Sequence, residues 1–296
     1  MKTQLVLSCW TPAMNASMKI LAIVITYFPD SEMLRRNVDA FRQSVSKVLV
    51  WENTPQPEAS AYRFVEGPDI EYCGGQGNVG IPTALNYAWR YAREHGFDYV
   101  LTMDQDSRWT GFDQFLEATV GARSFAEDQS VWGPNAWPEF HPALYTTRDY
   151  LITSGMLVPV AVLNAVGGWP ETFKIDCVDM DFSYHCRHHG VTLYLVNRGF
   201  LHQQFGSTKR VRSLRALFLK KIDVTVYPAR RWYGTLRNGI IMHKKYADFP
   251  LRGYLHDWIC VRGRHVLLYE DHKLSKFYQM FRGIVAGMSY RLKSQS

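Results

Sequence analysis

The sequence of 296 residues predicts an α/β protein with a mostly parallel, Rossmann-like sheet flanked by helices. Apolar, β-branched runs alternate with segments of helical periodicity over residues 18–110, the pattern of parallel strands joined by helical crossovers. Hydrophobic residues make up 47% of the chain and charged residues 21%, a composition that excludes a largely disordered protein. No apolar run reaches the roughly 20 residues of a membrane-spanning helix, so no such helix is expected.

The first strand and the first helix are predicted directly after Met18. The run KILAIVITYF is typical of a strand that is buried in a parallel sheet. The segment that follows, SEMLRRNVDAFRQS, places Leu34, Val38 and Phe41 at helical spacing. Residues 1–17 come before this strand and are interpreted as an N-terminal extension.

The second and third strands are predicted at VSKVLVWEN (45–53) and FDYVLTMDQDS (97–107), with a glycine-rich turn and a helix between them. Parallel α/β sheets bind their ligands beyond the carboxyl ends of the strands. Thr26, Glu52 and Asp104 fall at such ends. The sequence therefore predicts a binding site along this edge of the sheet.

Two features at this edge indicate the kind of ligand. Asp104 and Asp106 end an apolar strand one residue apart, and Mg²⁺ or Mn²⁺ is commonly held by one or two carboxylates together with substrate phosphates. The turn GNVG at 77–80 comes before a helix and allows a ligand to approach the backbone closely. A solvated turn remains the alternative for the two aspartates, and a purely geometric role remains the alternative for the glycines.

These segments together resemble the family 2 glycosyltransferases of the GT-A fold, in particular their rhamnosyltransferase-like branch. The resemblance lies in five short motifs that occur in the same order as in the family: ITY (25–27), EN (52–53), GNVGIPTALN (77–86), DQDS (104–107) and TSG (153–155). Glu52 stands where the family usually has an aspartate that contacts the nucleotide base.

The resemblance implies a set of ligand-binding residues. The nucleotide-sugar contacts it implies are Thr26, Tyr27, Glu52, Asn53, Asn78, Gly80, Asn86, Asp104 and Arg237. The acceptor and sugar contacts it implies are Ser154, Gly155 and Asp181. The ligands it implies for a Mg²⁺ or Mn²⁺ ion are Asp104, Asp106 and His202. A solvated basic helix face is the alternative for Arg237.

The resemblance also implies a catalytic base. The stretch GGWPETFKIDCVDMD matches the family segment with an acidic cluster, and Asp179 aligns with the general base. An acceptor hydroxyl that displaces a nucleoside diphosphate from a sugar must lose its proton, which a carboxylate can accept. One base without a covalent intermediate implies inversion of the anomeric centre. The alternative is that Asp176, Asp179 and Asp181 only complement a helix N-terminus.

The charge distribution divides the chain. Residues 1–197 carry 14 basic and 22 acidic side chains, a net charge of −8, whereas residues 198–296 carry 20 basic and 5 acidic, a net charge of +15. We predict a GT-A domain over 18–207, with a nucleotide-binding half (18–110) and an acceptor half (111–207), and a basic helical region over 208–296.

Two segments of this basic region are predicted to be helices at an anionic lipid surface. They are TKRVRSLRALFLKK at 208–221 and the last forty residues, which both set apolar side chains among basic ones. Ordinary packing against the core is the alternative.

The sequence as a whole predicts an inverting, metal-dependent glycosyltransferase that transfers rhamnose from dTDP-rhamnose to a polysaccharide or lipid-linked glycan. A UDP-hexose transferase of the same fold is the nearest alternative, and nucleic-acid binding through the basic region is a remote one. The five cysteines include no C-x-x-C pair, which favours a reduced, cytoplasmic protein. With the basic region, this predicts a peripheral protein on the inner face of the plasma membrane.

Overall fold

The computed structural model describes residues 18–55, 65–120, 129–136, 143–203, 206–212 and 221–292. The predicted extension at 1–17 lies outside these residues.

Helices separate the strands over much of residues 18–110, as the sequence predicts, whereas four strands follow one another among the described residues of 192–226 and only helices follow from 229 to 289. The strands are β1 (Ile20–Thr26), β2 (Lys47–Glu52), β3 (Ile70–Gly74), β4 (Tyr99–Asp104), β5 (Arg108–Thr110), β6 (Ser130–Pro134), β7 (Tyr145–Thr147), β8 (Leu157–Pro159), β9 (Thr192–Val196), β10 (Phe200–His202), β11 (Ser207–Arg212) and β12 (Lys221–Val226). The helices are α1 (Ser31–Asp39), α2 (Ile81–Glu94), α3 (Phe112–Thr119), α4 (Val160–Val166), α5 (Val178–His188), α6 (Ala229–Lys245), α7 (Leu251–Leu255), α8 (Gly263–Tyr269) and α9 (Lys273–Ser289). A π-helical stretch, His256–Arg262, joins α7 to α8.

Eight of these strands form one sheet in the order β3-β2-β1-β4-β8-β6-β9-β7. Strands β3, β2, β1 and β4 run parallel to one another, β6 runs parallel to β9, and β8 pairs antiparallel with β4 and β6. The predicted α/β class and its mostly parallel sheet are confirmed. Strand β3 was not predicted, and it forms one edge of the sheet beside β2.

Strand β1 shows why a continuous apolar run is needed in this sheet. All seven of its residues are buried because helices cover both faces. Ile23 packs with Leu85 of α2 on one side of the sheet, while Val24 packs with Leu34 of α1 on the other. Successive side chains of a strand point to opposite faces, so both of these layers require an apolar residue.

Helix α6 joins the C-terminal part of the chain to the rest. Its residues Ile241 and Met242 share a buried cluster with Phe173 and with Tyr184 of α5. Helix α9 packs along α6. The C-terminal helices therefore share a core with the segment that carries the acidic cluster.

The prediction of a helix over 208–221 is wrong where the structure describes this segment. Strand β11 pairs antiparallel with β12, with Val211 opposite Ile222. β-branched residues are frequent in both strands (STKRVR and KIDVTV), and such residues favour strands over helices. Residues 213–220, which include the predicted lipid-facing Phe218, lie outside the described part of the chain.

Candidate active site

Asp104 ends β4 at the edge of the sheet where the sequence predicts the site. Its backbone amide donates a hydrogen bond to the Ser154 hydroxyl at 3.0 Å, so Ser154 fixes the end of the strand. Gly155 next to it has a φ of +77°, and a Cβ there would lie 2.8 Å from the Pro134 ring. Burial, together with the charges of Asp106 and Asp179, raises the pKa of Asp104 to about 7.

Gln203 is a contact of Asp104 that the sequence did not indicate. Its side-chain amide donates a hydrogen bond to Asp104 Oδ2 at 2.9 Å. The other end of the same amide, Gln203 Oε1, is buried and has no hydrogen-bond partner within the described residues. His202, one residue earlier, is exposed, and its Nε2 lies 3.1 Å from the Thr110 hydroxyl.

The two aspartates fit a divalent cation better than His202 does. The pKa of Asp106 is also raised by burial, so two carboxylates that resist ionisation would gain from a cation. Among the described residues, no group of three or more His, Cys, Asp or Glu side chains is arranged to hold a metal ion. Asp104 and Asp106 therefore stay the candidate ligands, and His202 is not grouped with them in the described part of the chain.

The glycine turn (77–80) is built by two of the predicted asparagines. Asn53 Oδ1 accepts a hydrogen bond from the Val79 amide at 3.0 Å, and Asn78 Oδ1 accepts one from the Gly80 amide at 3.1 Å. Both side chains thus shape the turn. Glu52 lies beside it, and its Oε1 is buried with no hydrogen-bond partner among the described residues.

Thr26 and Tyr27 follow β1 in different environments. Thr26 is buried, and its hydroxyl donates a hydrogen bond to the Trp51 carbonyl at 3.1 Å, which occupies it within the sheet. Tyr27 is partly exposed and lies edge-to-face against Phe28. The Gln105 side chain bonds both the amide and the carbonyl of Tyr27, at 2.7 and 3.0 Å, so the DQDS segment also positions Tyr27.

Asn86 is a buried link between α2 and a turn in the acceptor half. Its side chain accepts a hydrogen bond from the Trp169 amide at 2.8 Å and donates one to the Trp169 carbonyl at 2.9 Å. The same Nδ2 donates a hydrogen bond to Glu171 at 3.0 Å. The described contacts therefore give Asn86 a structural role.

Asp179 stands in the first turn of α5 and is half-buried. The Met180 amide donates a hydrogen bond to its Oδ1 at 2.9 Å. Burial raises the pKa of Asp179, although the Met180 hydrogen bond opposes this. A carboxylate whose pKa is raised is a stronger base, which suits acceptance of a proton from a hydroxyl group.

The chain reaches α5 through the entry loop (174–177), which has an unusual backbone. Asp176 and Cys177 have φ angles of +57° and +62°, a region that residues with side chains rarely adopt. The Asn238 side chain donates hydrogen bonds to the carbonyls of Ile175 and Asp176, both at 3.0 Å. Arg231 pairs with the Asp176 carboxylate at 3.0 Å. Helix α6 therefore holds the entry loop in its strained conformation.

Asp181 does not face the open site. It is only 1% exposed, and its Oδ1 accepts hydrogen bonds from the Lys245 ammonium and the Tyr246 hydroxyl, both at 2.7 Å. These contacts make Asp181 part of a buried ion pair that ties α5 to α6, in place of the acceptor contact that the resemblance implied.

Arg237 is also placed differently from the expectation. Its guanidinium donates a hydrogen bond to Asn238 Oδ1 at 2.8 Å and stacks over the Tyr290 ring, with 5.3 Å from Cζ to the ring centre. These contacts lie where α6 meets the end of α9. They leave Arg237 as a support of Asn238, and a phosphate contact stays a prediction.

The chain is similar to a known sequence relative and to solved structures, whereas no family model matches it. It is 23% identical over 252 residues to the dTDP-rhamnosyl transferase RfbF of Shigella flexneri, an alignment that covers 76% of this chain and 80% of that protein. Among solved structures, S. aureus TarS in complex with UDP-GlcNAc aligns with a TM-score of 0.51 and 14% identity over 92% of this chain and 81% of TarS. GalNAc-T7 with UDP, GalNAc and Mn²⁺ aligns with a TM-score of 0.59 and 10% identity over 93% of this chain and 56% of that protein.

The chain is a glycosyltransferase of the GT-A fold. The predicted fold and the predicted enzyme class are thereby confirmed. For this GT-A glycosyltransferase, the edge of the sheet that carries Asp104 is the candidate active site. Asp179 is the nearby carboxylate whose charge raises the pKa of Asp104.

Proposed function

We propose that this enzyme transfers rhamnose from dTDP-rhamnose to a glycan acceptor with inversion of the anomeric centre. One observation carries the proposal: Asp179 lies close enough to Asp104 for its charge to raise the pKa of Asp104. The carboxylate that would hold the cation acts at the diphosphate and the base acts at the acceptor hydroxyl, and these two groups flank the anomeric carbon, so this juxtaposition suits the transfer. The relative RfbF is named for dTDP-rhamnose, which supports the choice of donor.

The donor's base and diphosphate each have candidate partners at this edge of the sheet. Thymine presents an imide N–H, and the unpartnered Glu52 Oε1 is an acceptor for such a group. Asp104 and Asp106 would hold a Mg²⁺ or Mn²⁺ ion, which neutralises diphosphate charge and so assists its departure. The Mn²⁺ in the GalNAc-T7 structure supports a divalent cation in this fold.

The transfer itself needs one proton acceptor. An acceptor hydroxyl attacks the anomeric carbon from the face opposite the diphosphate, and its proton passes to the Asp179 carboxylate. The new bond joins the acceptor oxygen to the anomeric carbon. The bond from that carbon to the phosphate oxygen breaks, and dTDP leaves with the electron pair. Because a single displacement occurs, the anomeric configuration inverts.

A screen of donor hydrolysis tests the choice of donor. We expect turnover of dTDP-rhamnose with Mn²⁺ or Mg²⁺ and little turnover in EDTA. Uracil presents the same imide N–H as thymine, so Glu52 alone does not discriminate between them, and TarS was crystallised with UDP-GlcNAc. Preferential turnover of UDP-hexoses would replace our donor with the second candidate.

A pair of variants tests the assignment of the base. We expect Asp179→Asn to bind donor normally but to lose roughly 10²–10⁴-fold in turnover, the usual contribution of a positioned base. Asp223→Asn is the matched control, because Asp223 is exposed on β12 and faces Arg210 at 3.9 Å. A normal rate for Asp179→Asn would remove Asp179 from the mechanism.

A further inference from the structure

Helix α9 exposes an apolar stripe to solvent. Its members are Leu274, Tyr278, Phe281, Val285 and Met288, which we call the α9 stripe. They recur every three or four residues and therefore line one face of the helix. Leu274, Phe281 and Met288 are 88%, 64% and 67% exposed, which is unusual for large apolar side chains in such a regular row.

Packing of the opposite face of α9 against α6 keeps the α9 stripe turned toward solvent. Gly283 and Gly287 are buried against α6, where an added Cβ would lie 2.5 Å from the Tyr233 carbonyl and 2.9 Å from the Arg237 carbonyl. Such close backbone contact holds the helix in one rotational position. The exposure of the α9 stripe is thus a property of the packed structure.

The charged side chains of α9 that lie beside the stripe are basic, and the exposed Asp271 just before the helix is paired with Lys209 at 2.8 Å. Helix α9 contains no acidic residue, and Lys273 and Arg282 lie exposed beside the α9 stripe. Lys276, the other basic residue of the helix, points inward and pairs with Glu270 at 2.5 Å. Arg264 of α8 is also exposed, one turn from the exposed Leu267 of the same helix.

We propose that the α9 stripe docks this enzyme on an anionic lipid bilayer. An apolar row flanked by cations is the arrangement with which amphipathic helices lie in a lipid interface. A second copy of the chain fits less well, because a symmetric pairing of stripes would bring Arg282 and Lys273 of both copies together. No helix in the described part of the chain is long and apolar enough to cross a membrane, so this contact is peripheral.

Docking through α9 would involve a helix that is connected, through α6, to the entry loop before Asp179. Helix α9 packs on α6, and α6 holds the entry loop through Asn238 and Arg231. This proposal deepens the proposed function by naming the surface on which a lipid-linked acceptor is met. Only the statement about the acceptor rests on the proposed function, because binding of the α9 stripe to lipid requires no donor.

Co-sedimentation of the full chain with vesicles tests the proposal. The vesicles contain either phosphatidylcholine alone or phosphatidylcholine with phosphatidylglycerol, at 0.1 M and 1 M salt. We expect the protein to pellet with the anionic vesicles at low salt and less so at high salt. The double variant Tyr278→Ser/Phe281→Ser should lose at least tenfold in partitioning. Met18→Ser is the control, because Met18 is 41% exposed ahead of β1 and outside the stripe.

Two further measurements keep the result interpretable. Thermal unfolding and donor hydrolysis without lipid should be unchanged in the double variant, so a loss of lipid binding is separable from misfolding and from failure of the proposed function. Equal pelleting of wild type and double variant would overturn the proposal, as would no pelleting of the wild type. A wild-type dimer in sedimentation velocity that the double variant abolishes would assign the stripe to a second copy and also overturn it.

Discussion

Asn238 offers the sharpest test of how α6 supports Asp179, the proposed base. Its Nδ2 donates hydrogen bonds to two carbonyls of the entry loop, and the side chain is only 3% exposed. Replacement by aspartate keeps the shape but removes both donors and turns a carboxylate oxygen toward the carbonyls. The loss of two hydrogen bonds, with both carbonyls left buried, should lower the free energy of unfolding by roughly 2–4 kcal/mol. Each bond contributes about 1 kcal/mol, and a buried carbonyl without a partner adds a desolvation cost.

The expected result for Asn238→Asp has two parts. The free energy of unfolding, measured with urea and tryptophan fluorescence, should fall by about 2–4 kcal/mol. Turnover should also fall, on the order of 10-fold or more, while donor affinity by calorimetry stays the same, because misplacement of Asp179 affects proton transfer and not donor binding. The two readouts separate a positioning role from a purely structural one.

A surface substitution serves as the control for Asn238→Asp. Asn164→Asp makes the same chemical change on the surface, where Asn164 Oδ1 only accepts a hydrogen bond from Trp89 and an aspartate can still accept it. This control should be near wild type in both measurements. Unchanged turnover of Asn238→Asp in the folded protein, with only its stability reduced, would refute the claim that Asn238 positions the base.

Three further predictions concern charged side chains. Lys245→Met should cost about 3–5 kcal/mol in urea unfolding because Asp181 is left charged and buried, and adding Asp181→Asn should restore much of that loss. In metal-free protein, the raised pKa of Asp104 should make its contribution to stability fall as pH rises from about 4 to about 7. In EDTA, the free energy of unfolding of Asp104→Asn relative to wild type should therefore be higher at pH 8 than at pH 5. An equal difference between the two proteins at both pH values would contradict this. Asp106→Ala should abolish the Mn²⁺ dependence of donor binding in calorimetry, while metal-dependent binding in this variant would count against a cation at this carboxylate.

The fold was largely predictable where burial imposes a strong pattern. Strands β1, β2 and β4 are apolar runs with helices on both faces, and helix α2 follows the glycine turn, as expected. Strand β3 was missed because it is a five-residue edge strand without a fully buried position. The hairpin at β11 was mistaken for a helix because basic and apolar residues are mixed there, and composition alone does not give the period of the pattern.

The placement of the acids of the candidate site could be predicted from the sequence, whereas the hydrogen-bond partners of its amides could not. Asp104 and Asp179 come together because strand ends and helix starts meet at one edge of the sheet. Sequence does not distinguish an asparagine that binds a ligand from one that binds the backbone, and Asn53 and Asn86 both bind backbone groups. Gln203 escaped notice because its partner Asp104 is 99 residues away in the chain.

One short backbone contact joins the glycine turn to the entry loop. The Ile81 amide donates a hydrogen bond to the Lys174 carbonyl at 2.9 Å, and a Cβ on Gly80 would lie 3.1 Å from Lys174. A shift of the glycine turn, which we propose frames the donor, would thus disturb the entry loop, which leads to the proposed base. Donor preference and acceptor preference should therefore change together during evolution. An engineer who grafts the glycine turn of another transferase onto this chain would need to exchange residues 174–177 with it.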